Sequence, residues 1–242
     1  MKGAKGYSLI RMITFDRVSK RYPGGQQALA NLTFSLARGE FAFVTGHSGA
    51  GKSTLLKLVL GIEKPSGGNL VVNGNEMSQI SPKMLALHRR QIGTVFQDHQ
   101  LLNDRSVYDN VALPLEISGL DPREGKRRVR AALDKVGLLS KEKLLPMALS
   151  GGEQQRVGIA RAVVNTPRII LADEPTGNLD PELSAEIMAL FAQFMSVGVS
   201  LLVASHDRVL IDGLGYRTLT LEEGRLSAEA NPHPAGGSAN EF

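Results

Sequence analysis

The stretch "VTGHSGAGKSTLL" (residues 44–56) sets three glycines within six positions, directly before a lysine and a serine. Such a density weakens any helix or strand, so it has to serve another purpose. Without a Cβ in the way, successive backbone N–H groups can turn inward around an anion. Gly46, His47, Ser48, Gly49, Ala50, Gly51, Lys52 and Ser53, with Thr54 behind them, fit the phosphate-loop pattern G-x-x-x-x-G-K-[ST]. Lys52 supplies a mobile cation for the terminal phosphates, and the Ser53 hydroxyl can ligate Mg²⁺. A helix starting near Lys52 aims the positive end of its dipole at the same place. The chemistry expected is the binding of a nucleoside triphosphate.

Further residues of the same kind lie downstream. Asp173 and Glu174 end the apolar run "RIILADEP" (168–175). Neighbours on a strand face opposite ways, so one carboxylate can serve a metal while the next meets a water. Gln97 closes a second apolar piece, "TVFQDHQLL" (94–102), and His206 follows a third, "SLLVASHD" (200–207). In "LSGGEQQR" (149–156), Ser150, Gly151 and Gly152 stand at a helix start, a second anion-binding end. Only His206 among the five histidines has a motif behind it. None has zinc-ligand spacing, so no transition-metal site is expected.

The elements that must position these residues can be read from periodicity. A short strand at 41–46, the glycine loop and the helical "KSTLLKLVLGI" (52–62) form a mononucleotide-binding unit. The runs at 168–175 and 200–207 fit central parallel strands, whose carboxyl ends line a ligand crevice. Residues 12–45 and 69–75 alternate in short β-like pieces, an antiparallel flank. Residues 101–164 read as helical: Ser106 with Asp109 resembles a capping box, and Val129, Leu133 and Val136 form an apolar stripe. The basic run "REGKRRVR" (123–130) falls largely off that stripe, as a solvated face does. Residues 187–205 carry no charge, yet Gly198 and polar residues divide them into helix, turn and strand rather than a membrane span.

Of 242 residues, 42% are hydrophobic and 21% charged, the balance of a soluble globule. The surplus of four positive charges is mild and tolerates anionic partners without demanding nucleic acid. The absence of cysteine excludes disulfides, thiolate metal sites and cysteine nucleophiles. "MKGAKGYSLIR" offers too short an apolar stretch for a signal peptide. One domain is expected over 12–226, with a helical sub-domain at about 98–160. Residues 1–11 are expected to be an extension, and 227–242, small and rich in Pro and Gly, a disordered tail.

The phosphate loop, Gln97, "LSGGEQQR", "ILADEP" (170–175), "GNLD" (177–180) and His206, in this order, resemble the nucleotide-binding subunit of the ATP-binding-cassette (ABC) superfamily. The resemblance covers residues 12 to about 226. It implies an α/β fold: a P-loop NTPase (RecA-like) with a mainly parallel sheet core, an antiparallel β sub-domain and an all-helical sub-domain. It implies ATP hydrolysis with Mg²⁺. Tyr22 would stack on adenine and residues 46–54 would hold phosphates. Ser53 and Gln97 would ligate Mg²⁺, with Asp173 acting on the metal mainly through water. Lys52 would assist catalysis, Glu174 would be the general base, and His206 would touch the γ-phosphate. Asp180 would belong to a loop that speaks across a dimer. Ser150, Gly151 and Gly152 would complete the site of a second copy, in a homodimer that closes head to tail on ATP.

Longer words narrow the resemblance. "GHSGAGKSTLLKL", "RRQIGTVFQDHQLLNDRSVYDNVALPL", "ALDKVGLL" and "LSGGEQQRVGIARAVVNTP" look like the cell-division branch of that superfamily. That branch implies an integral membrane partner without ATPase motifs, activation of peptidoglycan hydrolysis, possible contact with division-ring components and a peripheral place on the cytoplasmic face of the inner membrane. The alternative is the ATPase subunit of a lipoprotein- or drug-exporting transporter, which shares every catalytic residue. ABC proteins that act on DNA or ribosomes carry long insertions or two cassettes; here one phosphate loop and one "LSGG" lie about 100 residues apart. No nucleic-acid partner is expected. The docking surface is expected between Gln97 and Gly119, where Leu101, Leu102, Val107 and Tyr108 could form an apolar groove.

Overall fold

The computed structural model describes residues 10–230. In chain order its elements are β1 (Arg11–Arg21), β2 (Gln27–Ala37), β3 (Phe41–Thr45), α1 (Lys52–Val59), β4 (Gly67–Val72), β5 (Asn75–Glu76), α2 (Pro82–Arg90), β6 (Ile92–Phe96), α3 (Val107–Ser118), α4 (Pro122–Lys135), α5 (Gly151–Val163), β7 (Ile169–Asp173), α6 (Pro181–Ser196), β8 (Ser200–Ala204), α7 (Arg208–Leu214), β9 (Arg217–Glu222) and β10 (Arg225–Ala230).

Two sheets result. The first has the order β2-β1-β4-β5 and is antiparallel throughout. The second has the order β10-β9-β3-β8-β7-β6, parallel except for its edge strand β10. Its central strands are apolar at nearly every position because both faces are covered. Phe41 and Phe43 of β3 join one core cluster, Ala42 and Val44 the other. The same two-residue period sends Ile170 and Ala172 of β7 to one face and Ile169 and Leu171 to the opposite face. One cluster is shared with α3–α6, the other with α1 and the antiparallel sheet. The expected layers are therefore present, and 187–205 folds as α6, a glycine turn and β8.

The capping box at Ser106 is formed: its hydroxyl accepts from the Asp109 N–H at 3.1 Å, and Asp109 accepts in return from the Ser106 N–H. The basic run lies in α4, where Glu124 pairs with both Arg127 and Arg128 at 2.8 Å. Those guanidinium partners hold the Glu124 carboxyl down at about 2.

The structure differs from the sequence reading at two places. Strand β10 runs to Ala230, past the boundary expected at 226, and β1 starts at Arg11. Glu223 and Gly224 both adopt positive φ, as a two-residue hairpin turn requires. β10 is then held by its backbone ladder to β9, with Glu229 accepting from Arg217 at 2.9 Å, and needs no core-forming side chains. The rest of the expected tail and extension falls outside the described residues. The second difference concerns the apolar patch. Val107 is fully buried, and Leu101 and Tyr108 pack against the same core. The backbone N–H groups of Val107 and Tyr108 donate to Leu144 and Glu142 at 2.8 Å, which turns the first turn of α3 inward. Leu102 alone stays exposed, and the open apolar surface sits further along α3 at Ile117, 66% exposed.

Asn110, fully buried, organises the loop before α3. Its Oδ1 accepts from the Leu102 N–H at 2.8 Å, and its Nδ2 faces the carbonyls of Leu102, Arg105 and Ser106. Asn110→Ala leaves these buried groups unpaired and should cost about 1–3 kcal/mol. A lower denaturant midpoint with unchanged slope is the expected result.

Candidate nucleotide site

The register of the parallel strands decides where the site lies. Val44 of β3 stands beside Ala204 of β8, Ala204 beside Asp173 of β7, and Asp173 beside Phe96 of β6. The residues following these four positions therefore emerge in one row at the carboxyl edge of the sheet. They are the glycine loop, His206, Glu174 and Gln97. A cavity of about 1060 Å³ opens there, lined by Tyr22, residues 46–54, Gln97, Asp173, Glu174 and His206.

The loop between β3 and α1 needs its glycines. Gly46, Gly49 and Gly51 have φ of 149°, 81° and 107°. A Cβ on Gly46 would lie 2.3 Å from the Leu221 carbonyl, and one on Gly51 would lie 2.6 Å from that of Ala28. Gly51 caps α1 without any side-chain acceptor, so the first N–H groups of the helix remain available. The Lys52 ammonium reaches back over the loop to the Gly46 carbonyl at 2.7 Å and the His47 carbonyl at 3.3 Å. Tyr22 stands at the rim, its hydroxyl 3.4 Å from the Thr54 hydroxyl and its ring beneath the Lys20 ammonium.

Facing the loop are the two carboxylates. Burial pushes the Asp173 carboxyl above the usual range, against the pull of the Ser53 hydroxyl hydrogen-bonded to it. Glu174 holds a positive φ of 48°, a strained conformation for a residue with a side chain. Its N–H donates to the Ala204 carbonyl at 2.9 Å, which fixes the bend at the end of the ladder. Its carboxylate accepts from His206 Nδ1 at 2.8 Å. The arrangement thus offers an amide nest, a cation, a hydroxyl–carboxylate pair and a carboxylate–imidazole pair around one space.

Four expected residues lie outside this cavity. Ser150 caps α5 in a capping box with Glu153, and Asp180 caps α6. A Cβ on Gly152 would come 2.9 Å from the Leu183 side chain, so the two helix starts sit against each other. Gly151 beside them is exposed. These residues form a separate patch.

Some participants are not singled out in the sequence, although Asn178 lies within "GNLD". Asp98, Gln100 and Asn178 also line the cavity. His99 and Gln100 turn the loop after Gln97 through positive φ, and Arg161 of α5 donates to their carbonyls at 2.7 and 2.6 Å. Gln155 of α5 donates to the Pro175 carbonyl at 2.6 Å, which leaves its Oε1 to accept from His99 Nδ1 at 2.5 Å. The neighbourhood of Gln97, "LSGG" and "GNLD" is the signal that could have drawn attention to them.

A phosphate loop at the head of a parallel sheet, faced by paired carboxylates and a histidine, with a serine–glycine helix start held apart, defines a nucleotide-binding cassette. The chain belongs to the ABC transporter family, whose model matches residues 29–177, and within it to the cell division ATP-binding proteins FtsE. It is 59% identical to FtsE of Escherichia coli strain K12 over 215 residues, covering 89% of this chain and 97% of that protein. Identity to FtsE of Bacillus subtilis strain 168 is 42% over 213 residues, covering 88% and 93%. The solved dimer of the ATP-binding cassette MJ0796, in a post-hydrolysis state with ADP and Pi, is 33% identical, with a TM-score of 0.83 and coverage of 92% and 99%. CbiO1 from Clostridium perfringens, part of the transporter complex cbiONQ, is 31% identical, with a TM-score of 0.86 and coverage of 92% and 89%.

Gly51→Ala imposes both strain and a collision with backbone. It should lower affinity for a fluorescent ATP analogue at least tenfold, whereas Gly49→Ala, which meets no atom within 4 Å, should lower it less.

Proposed function

We propose that the chain is the ATP-hydrolysing subunit of an FtsEX-type complex, in which closure of an ATP-bound homodimer drives peptidoglycan hydrolysis during cell division. The observation that carries this reading is the row of Lys52, Gln97, Asp173, Glu174 and His206 around one cavity. The high identity to FtsE proteins supports the division role.

Phosphoryl transfer asks the protein for position and charge rather than covalent chemistry. Residues 46–54 hold the phosphates through backbone N–H groups, Lys52 neutralises their charge, and Tyr22 stacks on the adenine. Glu174 orients the attacking water and takes its proton. His206, paired with that carboxylate, faces the terminal phosphate. The donor set of Ser53 hydroxyl, Gln97 amide and Asp173 carboxylate is all oxygen, which suits a hard cation such as Mg²⁺, with Asp173 reaching it mainly through water. When bound, that ion neutralises charge on the phosphate oxygens. Ser150, Gly151, Gly152 and Asp180 complete the site of the second copy, and theirs serve this one.

Among the described residues no helix is long and apolar enough to cross a membrane. The chain reaches the cytoplasmic face of the inner membrane through an integral partner of the FtsX type, beside division-ring components. The groove for that partner is a cavity of about 470 Å³ between α2, β6, α3 and α5. Ile92, Phe96, Leu113, Pro114 and Ile117 supply its apolar wall, and Arg89, Arg90 and Arg161 stand among them. Leu113, Pro114 and Ile117, on the later turns of α3, are the part of this groove that falls within the stretch 97–119.

Glu174→Gln should bind ATP, accumulate as a dimer in size-exclusion chromatography and lose roughly 10²–10⁴ in turnover. Ser150→Arg should prevent that dimer without reducing nucleotide binding by the monomer. A strictly monomeric, ATP-loaded Glu174→Gln chain would end the proposed mechanism. Separately, Ile117→Asp should abolish co-purification with the membrane partner while ATP binding persists.

A further inference from the structure

The nucleotide site occupies the carboxyl edge of the parallel sheet, and the groove beside α3 is accounted for. At the opposite edge lies a further cavity of about 880 Å³, within the roughly 300–1,000 Å³ range of small-molecule sites. Arg168 and Val199, the residues just before β7 and β8, border it. Its walls come from the last turns of α4, α5 and α6 and the start of β1.

The lining has two parts. Val163 and Val199, half-buried, form an apolar wall backed by the buried Met12, Val164, Ile170 and Phe194. Two large apolar residues stand in the open at its rim, Ile10 at 63% and Val197 at 73% exposure. Around this wall are five cations, Arg11, Arg38, Arg128, Lys135 and Arg168, and among the described residues no acidic one lines it. Among the described residues only Arg128 of these five has an acidic partner, Glu124. The carboxyl ends of three helices converge here, and each brings roughly half a negative charge. Four unpaired cations outweigh those about one and a half charges, so the cavity is net positive. Complementing the three helix ends therefore does not use up the basic residues.

An apolar interior under a positive rim matches a ligand with one anionic head and one aliphatic tail. We propose that this cavity binds a single-chain anionic amphiphile, of the class of a long-chain carboxylate, with the head between Arg38 and Arg168 and the tail along Val163 and Val199. The chain preceding Ile10 carries Lys2 and Lys5 and no acid, so its charge does not complement the rim. A ligand here touches the far ends of β7 and α5, whose near ends carry Asp173 and Ser150.

The test is isothermal titration of the full chain with dodecanoate, octanoate and dodecylamine below their micelle concentrations. Dodecanoate should bind one to one, and at least tenfold tighter than octanoate because more methylenes are buried. Dodecylamine should not bind. Arg38→Glu combined with Arg168→Glu should weaken dodecanoate at least tenfold while binding of the ATP analogue persists. If that variant does not fold, Ala131→Trp, an exposed position on the cavity wall, keeps the charges and should block the tail. Equal binding of amine and carboxylate, or unchanged binding in the folded variants, overturns the proposal. So does attachment to phosphatidylglycerol vesicles without binding of the monomeric carboxylate, or a change of oligomeric state on Val197→Asp.

Discussion

The alignment of four parallel strands is the constraint on which everything else in this molecule rests. Hydrogen bonds between β3, β8, β7 and β6 fix which residues stand abreast, and a slip of one position would turn each side chain to the opposite face. Glycine loop, histidine, glutamate and glutamine come from four distant parts of the chain, yet they leave the sheet at one level. Packing on both faces holds that level, since a one-residue slip would press side chains such as Phe43, Ile170 or Val203 into the opposite core cluster, which is filled by others.

A second constraint is that the polar ends of helices are used selectively. Ser81, Ser106, Asp121, Ser150, Asp180 and Asp207 each satisfy their helix start with a side-chain acceptor. α1 begins on a left-handed glycine with no such acceptor. Its orphan N–H groups are the ones directed at the phosphate cavity. Among the described helices α1 is thus the one whose start is left open toward that cavity.

Much of this could be read from the chain itself. The phosphate loop, the carboxylate pair, Ser150 with its glycines and the capping box at Ser106 are legible because their spacing is local and their chemistry leaves few substitutes. The strands β3, β7 and β8 are legible because sheets covered on both faces read as unbroken apolar runs. What could not be read depends on distant partners. β10 is made by a hairpin ladder rather than by its side chains. Val107 looks like a docking residue until Leu144 and Glu142 draw the first turn of α3 inward. Gln155, Arg161 and His99 are ordinary polar residues in sequence, and their mutual contacts cross 56 to 62 positions.

A Cβ on Gly152 would come 2.9 Å from the tip of the Leu183 side chain, so the first turns of α5 and α6 lie side by side. Ser150 and Asp180, the caps of those two turns, therefore stand as neighbours. A side chain at position 152 would have to push the Leu183 side chain aside, so one substitution there is felt at both helix starts.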